Sequence, residues 1–177
     1  MKYLFGLLTA VALAGLLLSL AMHLAGWAGL AGIALMSDAT LHALAPWVMR
    51  LGVIGLPALA FGALAAYHES SRDVMRVVLA PCPRWLRLAR VVLLLYGFGL
   101  FVLLGIVWHH EAAPSLIHAT LFGSSLGLAY YGTCVAVLFS MLRAPQMLSP
   151  RRCSKGHAVK GGDEVCPDCG EPLKPRG

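Results

Sequence analysis

Apolar residues in this chain run in long uninterrupted stretches, and only between those stretches does a polar pattern take over. Four such runs stand out, about residues 4–27, 44–67, 91–108 and 116–142. At about 1.5 Å per residue each has roughly the length of a membrane crossing. In the first run His23 is the one ionisable side chain between Tyr3 and Ser37. A helix continued to Ser37 overshoots a hydrocarbon core of about 30 Å. It is therefore expected to leave the core near Trp27. Gly26, Gly29 and Gly32 suit a break there, and Ala28 to Met36 then lies along the outer interface or folds back into the bundle. Ser70 to Ala80 reads differently, as a short amphipathic helix opened by Ser70 or Ser71 and stopped by Pro81-Cys82-Pro83.

Composition agrees with this pattern. Of 177 residues, 59% are hydrophobic and 12% charged, against about 25% charged in a soluble domain. The net charge of +6 sits beside apolar runs, where topology and anionic lipid account for it better than nucleic acid does. Lys2 precedes the first run. Arg72, Arg76, Arg84, Arg87 and Arg90 lie between the second and third, and Arg143, Arg151, Arg152, Lys155, Lys160, Lys174 and Arg176 follow the fourth. The other two connections hold Asp38 and Glu111 and no Lys or Arg. Positive charge resists translocation, so both termini are expected in the cytoplasm of a bacterial inner membrane. Arg50, on the outer side of the second run, either snorkels outward or pairs with Asp38 or Glu111. A cleaved signal peptide ending at Ser19-Leu20-Ala21 is the competing reading of the N-terminus. The apolar run continues past Ala21, which favours an uncleaved anchor.

The basic loop, residues 70–90, carries Arg84, Arg87 and Arg90 at three-residue spacing around Trp85. With Arg72 and Arg76 these are expected to contact lipid headgroups. A reactive thiol at Cys82 among arginines is the alternative reading, disfavoured because no second cysteine lies nearby, and Cys134 in the fourth run reads as a small packing residue rather than a ligand. Small residues recur every fourth position, as Ala58, Gly62 and Ala66 in the second run and Ala119, Gly123 and Gly127 in the fourth. Such stripes serve packing within the bundle or a homo-oligomer.

After Pro150 the composition turns polar and glycine-rich. Cys153-x3-His157, a Gly161-Gly162 turn and Cys166-Pro-Asp-Cys169-Gly170 offer three thiolates and an imidazole, a donor set suited to structural zinc. Residues 153–173 resemble a short C-terminal zinc ribbon, with "GH" in the first knuckle and "CPDCG" in the second. That resemblance implies Cys153, His157, Cys166 and Cys169 as ligands of a closed site, departing from the commoner Cys-x2-Cys at the first knuckle. The basic flank of this module, Arg151, Arg152 and Lys155, is open to phospholipid, the nearest contact, to a protein partner that the module docks, or least of all to nucleic acid. The membrane part, through "CPRWLR" at 82–87, "LLSLAMHLAG" in the first helix and Tyr130-Tyr131, is similar to bacterial four-helix membrane proteins, a resemblance that implies topology and no activity.

His23, His42, His109, His110 and His118 fall at or near the outer face. With Met22 and Met36 nearby they offer a second reading, a copper site or b-type haem ligation, for example by His23 and His118. Solvated or hydrogen-bonded interface histidines are the plainer account. No G-x-S-x-G, P-loop or H-E-x-x-H pattern occurs, and no paired carboxylates lie in the apolar runs, so an enzyme is the weaker class. The expectation is an all-α membrane protein: a four-transmembrane-helix bundle, residues 1–148, with a small cytoplasmic zinc ribbon, residues 149–177.

Overall fold

The computed structural model describes residues 2–51, 53, 55–68, 75, 78–110, 115–148, 151–159 and 163–173. Among these the helices are α1 (Lys2–Leu30), α2 (Asp38–Leu51), α3 (Gly55–His68), α4 (Arg84–His110) and α5 (Leu116–Arg143), followed by a 3-10 turn at Pro145–Leu148. A two-stranded ribbon of β1 (Arg151–Arg152) and β2 (Ala158–Val159) lies in the tail. Three helices, at Tyr3–Leu30, Arg84–Ile106 and Leu116–Arg143, are long and apolar enough to cross a membrane. The chain is thus a mostly helical membrane protein. Most of the expected amphipathic helix at Ser70 to Ala80, with Arg72 and Arg76, lies outside the described residues, as do Glu111 and the Gly161-Gly162 turn.

Helix α5 is the centre of the bundle. Within its most apolar window 72% of residues are buried, against 28% for α1 and 6% for α4. Helix α5 carries the small and hydroxylated residues that permit this. Ser124, Ser125 and Ser140 are buried, and each returns its hydroxyl to a carbonyl one turn back on the same helix, so none of these three hydroxyls is stranded in an apolar interior. Dispersion between close backbones holds such helices together in lipid. Gly97 of α4 sits against the Ser125 carbonyl of α5, where a Cβ has no room. Of the two small-residue stripes, Gly127 is taken up inside the chain against Ser19 and Val48, whereas Gly123 meets nothing within 4 Å.

The second apolar run corrects the expectation. In place of one helix over 44–67, α2 begins at Asp38 and ends at Leu51, and α3 begins at Gly55. Each has 14 residues, about 21 Å of helix against the roughly 30 Å of a hydrocarbon core. The sequence reason lies at Gly52, Gly55 and Pro57: proline has no N–H, so a continuous helix would leave the Val53 carbonyl without its donor, and the glycines weaken the helix around it. In the last turn of α2 the Val48 carbonyl accepts the hydroxyl of Tyr131 from α5. Tyr131 is 1% exposed, and its ring lies over Gly15 of α1, where a Cβ would come within 2.5 Å of the ring. One tyrosine therefore joins α1, α2 and α5.

Helix α1 runs three residues past Trp27 and ends where Gly32 adopts φ +78°, a left-handed cap that glycine tolerates without strain. Residues 32–36 then arch over a cavity of about 200 Å³ that Gly26, Gly29 and Ile117 also line. Helix α4 starts at Arg84, earlier than the expected 91, because Pro83 ends the loop and its carbonyl accepts from Leu86 and Arg87. At the opposite end of the bundle Phe5, Ala58, Leu79, Cys82, Met141 and Leu148 form one apolar cluster. The start of α1 and the entry to the tail therefore meet at the same end. Cys82 is buried within that cluster, and Cys134 packs in it as well.

Candidate metal centre

The tail is built from two tight turns that face each other. In the first, β1 pairs antiparallel with β2, Arg152 opposite Ala158, and the hairpin closes through Cys153 N–H to the His157 carbonyl at 3.0 Å and Gly156 N–H to the Cys153 carbonyl at 3.0 Å. Gly156 takes φ +87°, which an L side chain rarely adopts. In the second, Cys166 N–H donates to Glu171 O and Gly170 N–H to Cys166 O, both at 2.9 Å, with Gly170 at φ +71°. A bridge between Val165 and Pro172 closes this turn. The two turns thus aim their side chains at a common point.

At that point Cys153, His157, Cys166 and Cys169 converge, with all four donor atoms within 4.8 Å of one another. Cys153 Sγ lies 3.5 Å from His157 Nδ1 and 3.8 Å from Cys169 Sγ, and Cys166 Sγ lies 3.9 Å from His157 Nδ1. Such a cluster can hold a metal ion. Beneath it the apolar content is small: Val159 and Leu173 beside the cysteines themselves. The electrostatics ask for a cation. Burial raises the Cys153 thiol, but the N–H groups of His157 and Lys155 and the neighbouring Cys169 and Cys166 thiols outweigh it and bring the pKa down to about 7. Cys169 moves the other way. The Glu171 N–H pulls it down, but burial and the adjacent Cys166 and Cys153 sulfurs push it up, since neighbouring thiolates repel unless a positive charge lies between them.

Sequence reading missed Glu171. Its Oε2 accepts the Ser154 N–H at 3.2 Å and the Ser154 hydroxyl at 2.6 Å, tying the residue after Cys153 to the second turn. A glutamate one residue beyond a Cys-x2-Cys-Gly turn carries no recognisable spacing signal. Arg152 adds a bond to the Gly156 carbonyl at 2.8 Å.

The outer histidines are not assembled in the same way. His23 is 3% exposed and both its ring nitrogens are engaged. Trp27 Nε1, which can only donate, reaches His23 Nε2 at 3.0 Å, so Nε2 accepts and the proton sits on Nδ1. Nδ1 then donates to Ser124 Oγ at 3.0 Å, and that hydroxyl donates to Leu121 O at 3.2 Å. Tyr96 of α4 joins through its hydroxyl, 2.8 Å from Nε2 and 3.1 Å from Trp27 Nε1. His23 thus links α1, α4 and α5 with its valences met. His118 stands at the start of α5, with Nδ1 3.2 Å from the helix-capping Ser115 hydroxyl. His42 lines a different space, an apolar cavity of about 300 Å³ with Met22, Val48, Gly123 and Ser124, while Met36 lines the cavity at the end of α1. The side chains of His109 and His110 lie outside the described residues. Among the described residues, the tail cluster is the one group of three or more Cys, His, Asp or Glu with metal-binding spacing.

Of the basic residues, Arg84 and Arg87 are exposed on the first turn of α4 beside Trp85, itself 68% exposed. Arg90 turns inward instead. It is half-buried, its Nη1 faces the Met75 sulfur at 3.8 Å, and its Nε has no hydrogen-bond partner. Arg50 stacks over the Trp47 ring at 5.3 Å. Pairing with Asp38 is not formed, because the two stand at opposite ends of α2, about 18 Å apart along the helix.

Comparison of the chain with protein-family models, with curated proteins and with solved structures finds no match.

Proposed function

We propose that this protein is a non-enzymatic platform in the bacterial inner membrane that presents a structural zinc ribbon to the cytoplasm as a docking or regulatory module, as an accessory subunit of a larger assembly. The observation that carries the reading is the spacing of the four donors. A tetrahedral zinc with Zn–S near 2.3 Å and Zn–N near 2.0–2.1 Å has S–S edges of about 3.8 Å and S–N edges of about 3.6 Å. The sulfur–sulfur distance of 3.8 Å and the sulfur–nitrogen distances of 3.5 and 3.9 Å lie close to that geometry. Four protein donors fill the sphere and leave no open position for substrate, which is the arrangement of a structural site. With so little apolar content, the ribbon takes its folding free energy from the metal.

Topology supports the cytoplasmic placement. The beginning of the chain and the entry to the tail share one end of the bundle, and that end also carries the Lys- and Arg-rich loop and tail, the side that positive charge prefers. In this reading α2 and α3 together make the fourth crossing, broken at its middle. Arg84 and Arg87 stand at the N-terminus of α4, where the helix dipole disfavours cations, so anionic lipid headgroups are their natural counter-charge.

The test is Cys166→Ser in the full-length protein. Loss of bound zinc together with rapid proteolysis after Ser149, the helices remaining protected, is the expected result. A variant that keeps stoichiometric zinc, or whose helices collapse with the tail, would count against the proposal.

A further inference from the structure

The arginine on α2 sits where an unpaired charge is hardest to keep. Its depth follows from what its neighbour touches. Val48 packs against the position of Gly127 and accepts the Tyr131 hydroxyl. Those two residues lie about 17 and 23 Å along α5, a helix of about 42 Å that runs from Leu116 to Arg143. Arg50 is half a turn beyond Val48, so it belongs to the central third of the bundle. It is exposed there, and so are its neighbours Trp47 and Val53, at 50% and 66%. Half a hydrocarbon core is about 15 Å, roughly twice the reach of about 7 Å that an arginine has for snorkelling. Its cation–π contact with Trp47 offsets only part of the cost of the charge.

Among the described residues no carboxylate meets it. Residues 3–37, 39–68, 84–110 and 116–143 contain neither Asp nor Glu, so a second copy offers none at that depth either. An arginine in a membrane segment is kept where it finds a counter-charge, and Trp and Arg side by side on an exposed face are the residue types that anchor interfaces. We propose that the Trp47–Arg50 face of α2 docks a transmembrane helix of a different protein, one that carries an Asp or Glu at mid-membrane. This rests on the reading of α2 as part of a membrane crossing and gives the proposed platform its intramembrane partner class.

The test uses the full-length protein in phosphatidylcholine vesicles at pH 8, with a fluorescently labelled synthetic poly-leucine helix bearing one central Glu as probe and its Gln counterpart as control. Energy transfer from a donor on the protein should show the Glu helix binding about tenfold more tightly than the Gln helix. Arg50→Gln should erase that preference and Arg50→Lys should retain most of it. Equal binding of the two helices, or a Glu preference that survives Arg50→Gln, overturns the proposal. So does a preference that vanishes when phosphatidylglycerol is included, because lipid phosphate would then be the counter-ion. The depth is checked separately with Trp47 as the sole tryptophan, after Trp27, Trp85 and Trp108 are changed to Phe. Stronger quenching by lipids brominated at mid-chain than near the headgroup supports the placement, and the reverse overturns the placement itself, whatever the helices do.

Discussion

At the scale of single residues, the membrane part depends on a few polar side chains that complete one another. Tyr131 donates its hydroxyl to the Val48 carbonyl, and Gly15 leaves room for its ring. Tyr131→Phe keeps the ring and removes the donor, so it should cost about 0.5–1.5 kcal/mol, the net worth of one intramolecular hydrogen bond. The measurement is the unfolding midpoint in detergent, and an unchanged midpoint would mean that this bond adds nothing to stability. Gly15→Leu should also destabilise, by at least the about 1–3 kcal/mol of an overpacked core. In the tail, Glu171 holds the backbone N–H and hydroxyl of Ser154, next to the ligand Cys153. Partners of this kind are worth about 10–100-fold in metal affinity. Glu171→Ala should therefore weaken zinc binding by at least about tenfold in competition with a chelating dye, and full affinity would show that the bond is incidental.

At the scale of elements, what sequence could show depended on whether the signal was local. Four soft donors at knuckle spacing, with a glycine in each turn, mark residues that converge, and Cys153, His157, Cys166 and Cys169 do converge. The long apolar runs gave α1, α4 and α5 to within a few residues at most ends, α4 excepted, because the polar pattern that bounds them is local as well. The second run misled, since hydropathy does not register a missing N–H: Pro57 and two glycines were in plain view, yet the run stays apolar through the break between α2 and α3. His23 was legible as unusual but not as satisfied. Its partners Tyr96 and Ser124 are far along the chain and come from two other helices. The ribbon itself has a predicted response to acid. A zinc ion bound there would need deprotonated thiols and a neutral imidazole, so falling pH favours the protonated, metal-free form and rising pH favours the bound one. Zinc release followed with a metallochromic dye should increase steadily as pH falls from 7 to 5, whereas pH-independent retention would point away from thiolate ligation.

At the scale of the whole molecule, the bundle and the tail have different sources of stability. Helix α5 is wrapped by its neighbours, whereas the tail has almost no apolar core. The first residues of α1 and the turn leading into the tail pack in one cluster, so both termini should be reached from the same side. Cysteine-reactive reagents that do not cross membranes should label an added N-terminal cysteine and an added C-terminal cysteine together in inverted inner-membrane vesicles, and neither in intact cells. Labelling of the two ends from opposite sides would refute the even number of crossings. The central claim is that one zinc ion holds the tail and that the bundle holds none, and the most direct measurement is elemental analysis of two purified forms, the full chain and a version ending at Leu148. Close to one zinc per full chain, with no metal on the shortened form, is the result the account predicts. A full chain without zinc, or copper or iron retained by the form that lacks the tail, would contradict it.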